Sequence, residues 1–456
     1  MVRLRPGRMV LVLVLVTSIA CGGRSHTVDT DDGENGGRAG ETSGQGGVSG
    51  ASGSTARGGQ SGTVATGGAS FGGVAGSVAG TGGAAGSGGA AGAGGVSIPP
   101  LACDAGDPVP IPPEVTAERL SRLFFEEPAS DDLLETARND GLRTTGAVGC
   151  FARTLLRDER AGVGIADFFG GWLDLAKHPA PLQDPAYVPE FSPELLASAK
   201  AASVWYATTL ARSGGTFSRL LQDREMPMNS ELAPFYGVSI DAADAFVLLD
   251  LHGERAGILT QLYFPMSRTT TGHGSPTQRG AAFTRMLGCQ EIASPPPPID
   301  LTDDVPAVFE GTTRSWYAAS IGSETCLGCH AYLTLTGYAF EHFDVLGRYR
   351  DVEAGEPIDA SAYLAALDTT GVGLDVNGHV EAMRVTSSSP IARDCMGRHW
   401  LSYAVGSLRG ERLYVPEMPL DGDDIDHVFR RASYDPEFSL SEMLVAGVET
   451  SQFLAP

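Results

Sequence analysis

Lysine is almost missing from this chain: of 456 residues only Lys177 and Lys200 carry an ammonium group, and arginine supplies the rest of the 32 basic side chains. With 55 acidic residues the net charge is −23, which excludes nucleic acid as a partner by repulsion. There is no Gly-x-Ser-x-Gly elbow, no Walker loop and no His-Glu-x-x-His, so hydrolase and nucleotide-binding chemistry have no specific support. Alternating strand patterns are scarce; YVPEM (Tyr414 to Met418) and parts of AFVLLDL (Ala245 to Leu251) are the best of them. The apolar run MVLVLVLV (Met9 to Val16) is too short for a permanent membrane span, which needs about 20 residues.

What that run does fit is an export signal. Arg3, Arg5 and Arg8 precede it, and Ser18-Ile19-Ala20 follows as small residues before a cleavage point. Cys21 comes next and resembles the diacylated first residue of a bacterial lipoprotein, although Ser18 stands where such signals usually carry leucine. Cleavage after Ala20 by ordinary signal peptidase is the alternative. Taking the three leader arginines from the 32 basic residues leaves 29 against 55 acidic ones, a net charge of −26.

Between Gly22 and Gly95 lie 28 of the 60 glycines. Such a stretch cannot bury enough apolar surface to offset backbone entropy, so a disordered tether is expected, with a reach of roughly 50 Å. The proline-rich SIPPLACDAGDPVPIPPEV (Ser97 to Val115) ends it.

Helical signals then dominate. Thr116 is expected to cap AERLSRLFFEE, Ser130 to cap DDLLETARN ahead of Gly141, and GAVGCFARTLLRD follows. ADFFGGWLDL should turn Phe168, Phe169, Trp172 and Leu173 to a core. Ser192-Pro193-Glu194 and Ser275-Pro276 both combine a capping serine with proline in the first turn. A polyproline spacer, SPPPPIDL (Ser294 to Leu301), marks the expected boundary between two portions.

The chemistry-bearing motif is Cys326-Leu-Gly-Cys329-His330. In an exported chain this pattern attaches one c-type haem: Cys326 and Cys329 form thioethers, and His330 offers an imidazole to the iron. Three alternatives compete. They are a thioredoxin-like pair, for which no βαβ setting is visible; a zinc site completed by Cys395 and His399 of CMGRH; and a structural disulfide. A sixth iron ligand would separate an electron carrier from an enzyme, and Met383, Met396, His379, His399 and His342 are the candidates, with Met383 favoured by its spacing. Arg348 and Arg350 are candidates for haem propionate contacts, or else a solvated pair matched to Glu341, Asp344 or Asp351. Cys103, Cys150, Cys289 and Cys395 form an even set that suggests two disulfides, for which 3 connectivities exist.

From about Glu118 onward the chain resembles planctomycete-type cytochrome c-like exported proteins, found also in myxobacteria and built of consecutive domains of unknown function. FFGGWLDL, MNSELAPFYGVS (Met228 to Ser239), RAGILTQLYF, SPTQRGAAFTRMLGC with the PPPP run, and IARDCMGRHWLSYAVGS carry the likeness. Most specific is CLGCHAYLTLTGYAFEHFDVLGRYR, in which Gly337, Phe340, Glu341, Phe343, Asp344, Gly347 and Arg350 fall on the family pattern. Two positions depart from it. Leu335-Thr336 stands in place of Asp-Pro, which should alter the turn beside the haem, and His342, in place of asparagine, is expected to be a surface or supporting residue.

The resemblance implies a mainly α protein with a helical N-terminal domain and a cytochrome c-like C-terminal portion. The expected layout is a signal at 1–20, a lipidated linker at 21–115, a helical domain at 116–294 and a haem-binding portion at 299–456. The implied function is electron transfer by an envelope-anchored haem lipoprotein, held to the membrane through its lipid alone and docking a redox partner. A haem peroxidase or oxidase, and a non-haem binding or structural lipoprotein, are the alternatives. An outer-membrane lipoprotein facing the periplasm or the cell surface is the expected location.

Overall fold

The computed structural model describes residues 99–456 except 178–187, 242–244, 252, 271, 293–310, 321–323, 368–372, 415 and 417; for residues 140, 324–329 and 366 it describes the backbone alone. The expected signal sequence, Cys21, nearly all of the tether, His178, His252 and the PPPP run lie outside the described residues.

Among the described residues the fold is mainly α, with 14 helices and short two-stranded sheets. The first five helices are α1 (Pro113–Phe125), α2 (Asp131–Asp140), α3 (Thr145–Leu155), α4 (Gly162–Trp172) and α5 (Pro193–Arg212). Then come α6 (Phe217–Gln222), α7 (Tyr263–Met266), α8 (Pro276–Gly288), α9 (Thr313–Ser320) and α10 (Glu324–Gly337). The last four are α11 (Gly378–Ser388), α12 (Pro390–Ser407), α13 (Gly422–Ala432) and α14 (Leu440–Val448). Four antiparallel ladders complete the described residues. They are β1 (Glu225–Met228) with β2 (Val247–Asp250), β3 (Thr269–Thr270) with β4 (His273–Gly274), β5 (Val352–Glu353) with β6 (Glu356–Pro357), and β7 (Ser361–Leu364) with β8 (Leu374–Asn377).

Capping chemistry sets most helix starts. Ser130 Oγ accepts from Leu133 N at 3.3 Å, Ser192 Oγ from Leu195 N at 2.9 Å and Ser275 Oγ from Gln278 N at 3.4 Å. Helix α2 ends on Gly141 with φ 79°, the left-handed conformation that glycine adopts without a Cβ clash. Helix α1 departs from the expectation. It starts at Pro113, three residues before Thr116, because Pro112-Pro113 presets φ for a first turn that needs no N–H donor. Thr116 is instead inside the helix, its hydroxyl donating to Pro112 O.

The strand expectation is half met. Val247–Asp250 of AFVLLDL pairs with β1, whereas Tyr414, Pro416 and Met418 are not in a strand. Pro416 has no N–H for a ladder, and the Tyr414 carbonyl is taken by His399.

Helices from before and after the expected boundary at 294–299 share one core inside a single compact unit, Gly88–Pro456. Trp400 of α12 sits at its centre, with Phe168 of α4 at 5.2 Å, Phe124 of α1 at 6.2 Å and Tyr403 at 5.7 Å between ring centroids. Its Nε1–H donates to Leu444 O of α14. Phe168, Phe169, Trp172 and Leu173 are all buried, as their spacing requires.

Candidate functional site

The Cys-x-x-Cys-His segment lies in the first half of α10, and the second half of that helix is clamped to α8. Two glycines permit the approach: a Cβ on Gly280 would stand 1.7 Å from Leu333 O, and one on Gly337 would stand 1.8 Å from Pro276 O. Close contact lets polar groups between the helices meet. Thr277 and Thr334 share a hydroxyl–hydroxyl hydrogen bond of 2.7 Å, and Thr336 Oγ1 donates to Tyr363 O of β7 at 2.8 Å. Leu335-Thr336, where the resembled family has Asp-Pro, keeps α10 helical as far as Gly337.

On a helical backbone, positions 326, 329 and 330 stand at i, i+3 and i+4 and share one face. The side chains of Cys326 and Cys329 lie outside the described residues. His330 is partly buried, and its Nδ1 has no hydrogen-bond partner among the described residues. The imidazole stands one residue after the second cysteine, on the helix face that positions 326 and 329 share. The donor set therefore fits a haem attached through residues 326 and 329. A cleft of about 380 Å³ opens beside α10, lined by Arg314, Leu335, Tyr363 and Asp375 among others.

Beyond α10 the chain turns through a cluster of buried charge. Arg279 of α8 is fully buried and donates to the carbonyls of Phe340, Phe343, Asp344 and Pro265, so it pins the segment that follows the motif helix. Arg255 lies between the rings of Tyr236 and Phe343 at 4.9 and 4.7 Å, and Arg268 stacks on Phe264 at 4.5 Å. Burial brings all three guanidinium groups down to about 10. Glu341, 2% exposed, has one carboxyl oxygen without a partner, and burial pushes it up to about 7 against the opposing pull of Arg279.

The candidate sixth ligands are dispersed through this architecture. Met383 and Met396 are enclosed in the apolar core. His342 stacks on Tyr349 at 5.2 Å between centroids, and its Nδ1 pairs with Arg350 O at 2.9 Å. His379 is 3% exposed and packs on Phe343 at 4.8 Å; burial, with the nearby His342 and Arg255 adding to it, lowers its pKa to about 3, so it is neutral at ordinary pH. Arg348 binds Asp344 at 2.7 Å and Glu190 at 3.3 Å, and Arg350 binds Glu353 at 2.9 Å. Both arginines named for propionates are thus matched by carboxylates of this chain.

The even cysteine set resolves into Cys103–Cys150 and Cys289–Cys395. This removes Cys395 from the competing zinc set of Cys326, Cys329, Cys395 and His399, because Cys395 is already bonded to Cys289. His399 instead faces Cys289 Sγ, at 3.7 Å from its Nε2. Sequence reasoning missed Cys289 as a neighbour of His399 and missed the buried arginines altogether. The spacing Cys395-x-x-x-His399 was the one available signal.

Residues 113–238 match a family model described as a protein of unknown function (DUF1592). Residues 255–353, which include the Cys-x-x-Cys-His segment, match a second described as a protein of unknown function (DUF1588). Two consecutive family domains are therefore present. The DUF1592 match takes in FFGGWLDL and MNSELAPFYGVS, and the DUF1588 match runs from Arg255 past Arg350; IARDCMGRHWLSYAVGS lies beyond both. No curated protein and no solved structure matches the chain.

Proposed function

We propose that this protein is a c-type haem protein that carries electrons. The observation that supports this most is a helical Cys-x-x-Cys-His, held by a glycine-mediated helix clamp, within residues that match the DUF1588 model. Both matched families fall in the planctomycete cytochrome c-like group, which adds weaker support for a haem-linked role.

In this reading Cys326 and Cys329 would hold the haem through thioethers, and His330 would offer its imidazole to the iron. The bound haem supplies a one-electron ferric–ferrous couple. The rest is positioning. Gly280 and Gly337 fix the axis of α10, Thr277 and Thr336 resist its sliding, and Arg279 holds the segment after it by three carbonyls, those of Phe340, Phe343 and Asp344, which keeps reorganisation on electron transfer small. We further propose that Cys21 is the lipid-bearing residue and that the Gly-rich segment gives the body its reach from an envelope membrane. Among the described residues no helix is long and apolar enough to cross a membrane. The acidic surface would favour a basic redox partner, with association that weakens as salt rises.

Production beside haem-attachment machinery tests the reading. The protein should be red, and its colour should stay with the polypeptide in acid–acetone extraction. A colourless product with bound zinc contradicts it. Low-spin spectra indifferent to cyanide are expected of the carrier, whereas high-spin bands that shift with cyanide would make it a haem enzyme.

A further inference from the structure

Away from α10, the Cys289–Cys395 disulfide joins the end of α8 to α12 across a sequence separation of 106. One ligand atom from each of Cys289, Cys395 and His399 lies within 4.8 Å of the others. Cys395 and His399 are i and i+4 on α12 and so share a face. The Nδ1 of His399 lies 2.8 Å from Tyr414 O, and a carbonyl can only accept, so the proton sits on Nδ1. The other ring nitrogen, Nε2, faces Cys289 Sγ at 3.7 Å. An imidazole fixed through its far nitrogen by a carbonyl is the arrangement metal-ligating histidines adopt. Cys289 holds a non-glycine left-handed conformation, φ 48°, which is what turns its sulfur back toward α12. Cys395 and His399 are each 1% exposed, while Cys289 is partly exposed and gives access.

We propose that Cys289, Cys395 and His399 form a reducible site that binds one zinc-class cation when its disulfide is opened. An external dithiol opens it by exchange: the S–S bond breaks, the dithiol becomes a disulfide, and two electrons and two protons pass to the cysteine sulfurs. The divalent cation then displaces both thiol protons and binds two thiolates and the neutral Nε2. The charges cancel, which suits a site this buried. The fourth position faces solvent on the Cys289 side.

The test uses the full chain, reduced anaerobically with a phosphine that is then removed, and titrated with Co²⁺ alone. One cobalt per chain should bind, with thiolate-to-metal charge-transfer absorption and tetrahedral ligand-field bands; the unreduced protein should give neither. Cys289→Ser/Cys395→Ser should abolish the bands. His399→Gln keeps the disulfide, so it answers even where the double variant does not fold, and should weaken binding at least about 10-fold. Reduced protein with titratable thiols but no cobalt bands overturns the proposal. Bands that survive in the cysteine double variant, or full affinity in His399→Gln, overturn it equally, because the metal would then belong to the other cysteines.

Discussion

Glu341 is the side chain with most to reveal about its surroundings. Its free pKa is 4.5 and its folded value about 7, raised chiefly by burial, with Arg279, Arg350, Arg314 and Glu353 as the charged groups around it. The folded state therefore holds this proton more tightly than the unfolded chain does. The associated stability is fully present below pH 4.5 and is lost as pH rises through 7. Glu341→Gln should remove that dependence. Relative to wild type, the variant should gain on the order of 3 kcal/mol between the two limits at most, read by urea unfolding at several pH values; a difference that stays flat with pH would contradict it. The resemblance marked Glu341 as a position of interest, yet nothing in the sequence showed it buried. The same blindness hid Arg255, Arg268 and Arg279. Their partners are chiefly carbonyls and ring faces, and such partners leave no trace in residue type or spacing.

Contacts between elements explain why the motif helix sits where it does. Gly280→Ala would drive a methyl into Leu333 O of α10, and the helices must part. A loss of about 1–3 kcal/mol is expected in denaturant unfolding, together with a lower yield of haem-loaded protein. Between α13 and α14, Arg431 of α13 is fully buried and binds Glu449 at 2.7 Å and Glu442 at 3.0 Å. Arg431→Met should cost about 3–5 kcal/mol by taking the guanidinium from the fully buried Glu449, which is left with the His427 imidazole at 3.0 Å, whereas the exposed pair Arg122–Glu118 should contribute under about 1 kcal/mol when removed. Chemical denaturation of the two variants side by side checks the contrast. Helix limits were legible wherever a serine cap met a proline in the first turn, as at Ser192 and Ser275. They were misjudged at α1, where two prolines did the same work without a side-chain cap. The isolated ladders were largely illegible, since two- to four-residue strands leave no alternating run.

At the scale of the molecule, the described residues of the compact unit Gly88–Pro456 share one core, with Trp400 tying α1, α4, α12 and α14 together. Thermal unfolding of the haem-free chain should accordingly show a single transition with equal calorimetric and van't Hoff enthalpies; two separated transitions would restore a division near 294–299. That shared core escaped the sequence because the proline run looks like a domain linker, while the contacts that cancel it join residues hundreds of positions apart. The motif was legible at once, by contrast, because its chemistry is confined to five consecutive residues. The central claim is covalent capture of haem at Cys326 and Cys329. Intact mass and visible absorption of the protein made beside haem-attachment machinery, compared with Cys326→Ser/Cys329→Ser, test it most directly. The account predicts wild-type chains heavier by one haem, with absorption bands that survive denaturation, and a colourless variant at polypeptide mass. Wild-type protein at bare polypeptide mass, or a variant that keeps the added mass, would contradict it.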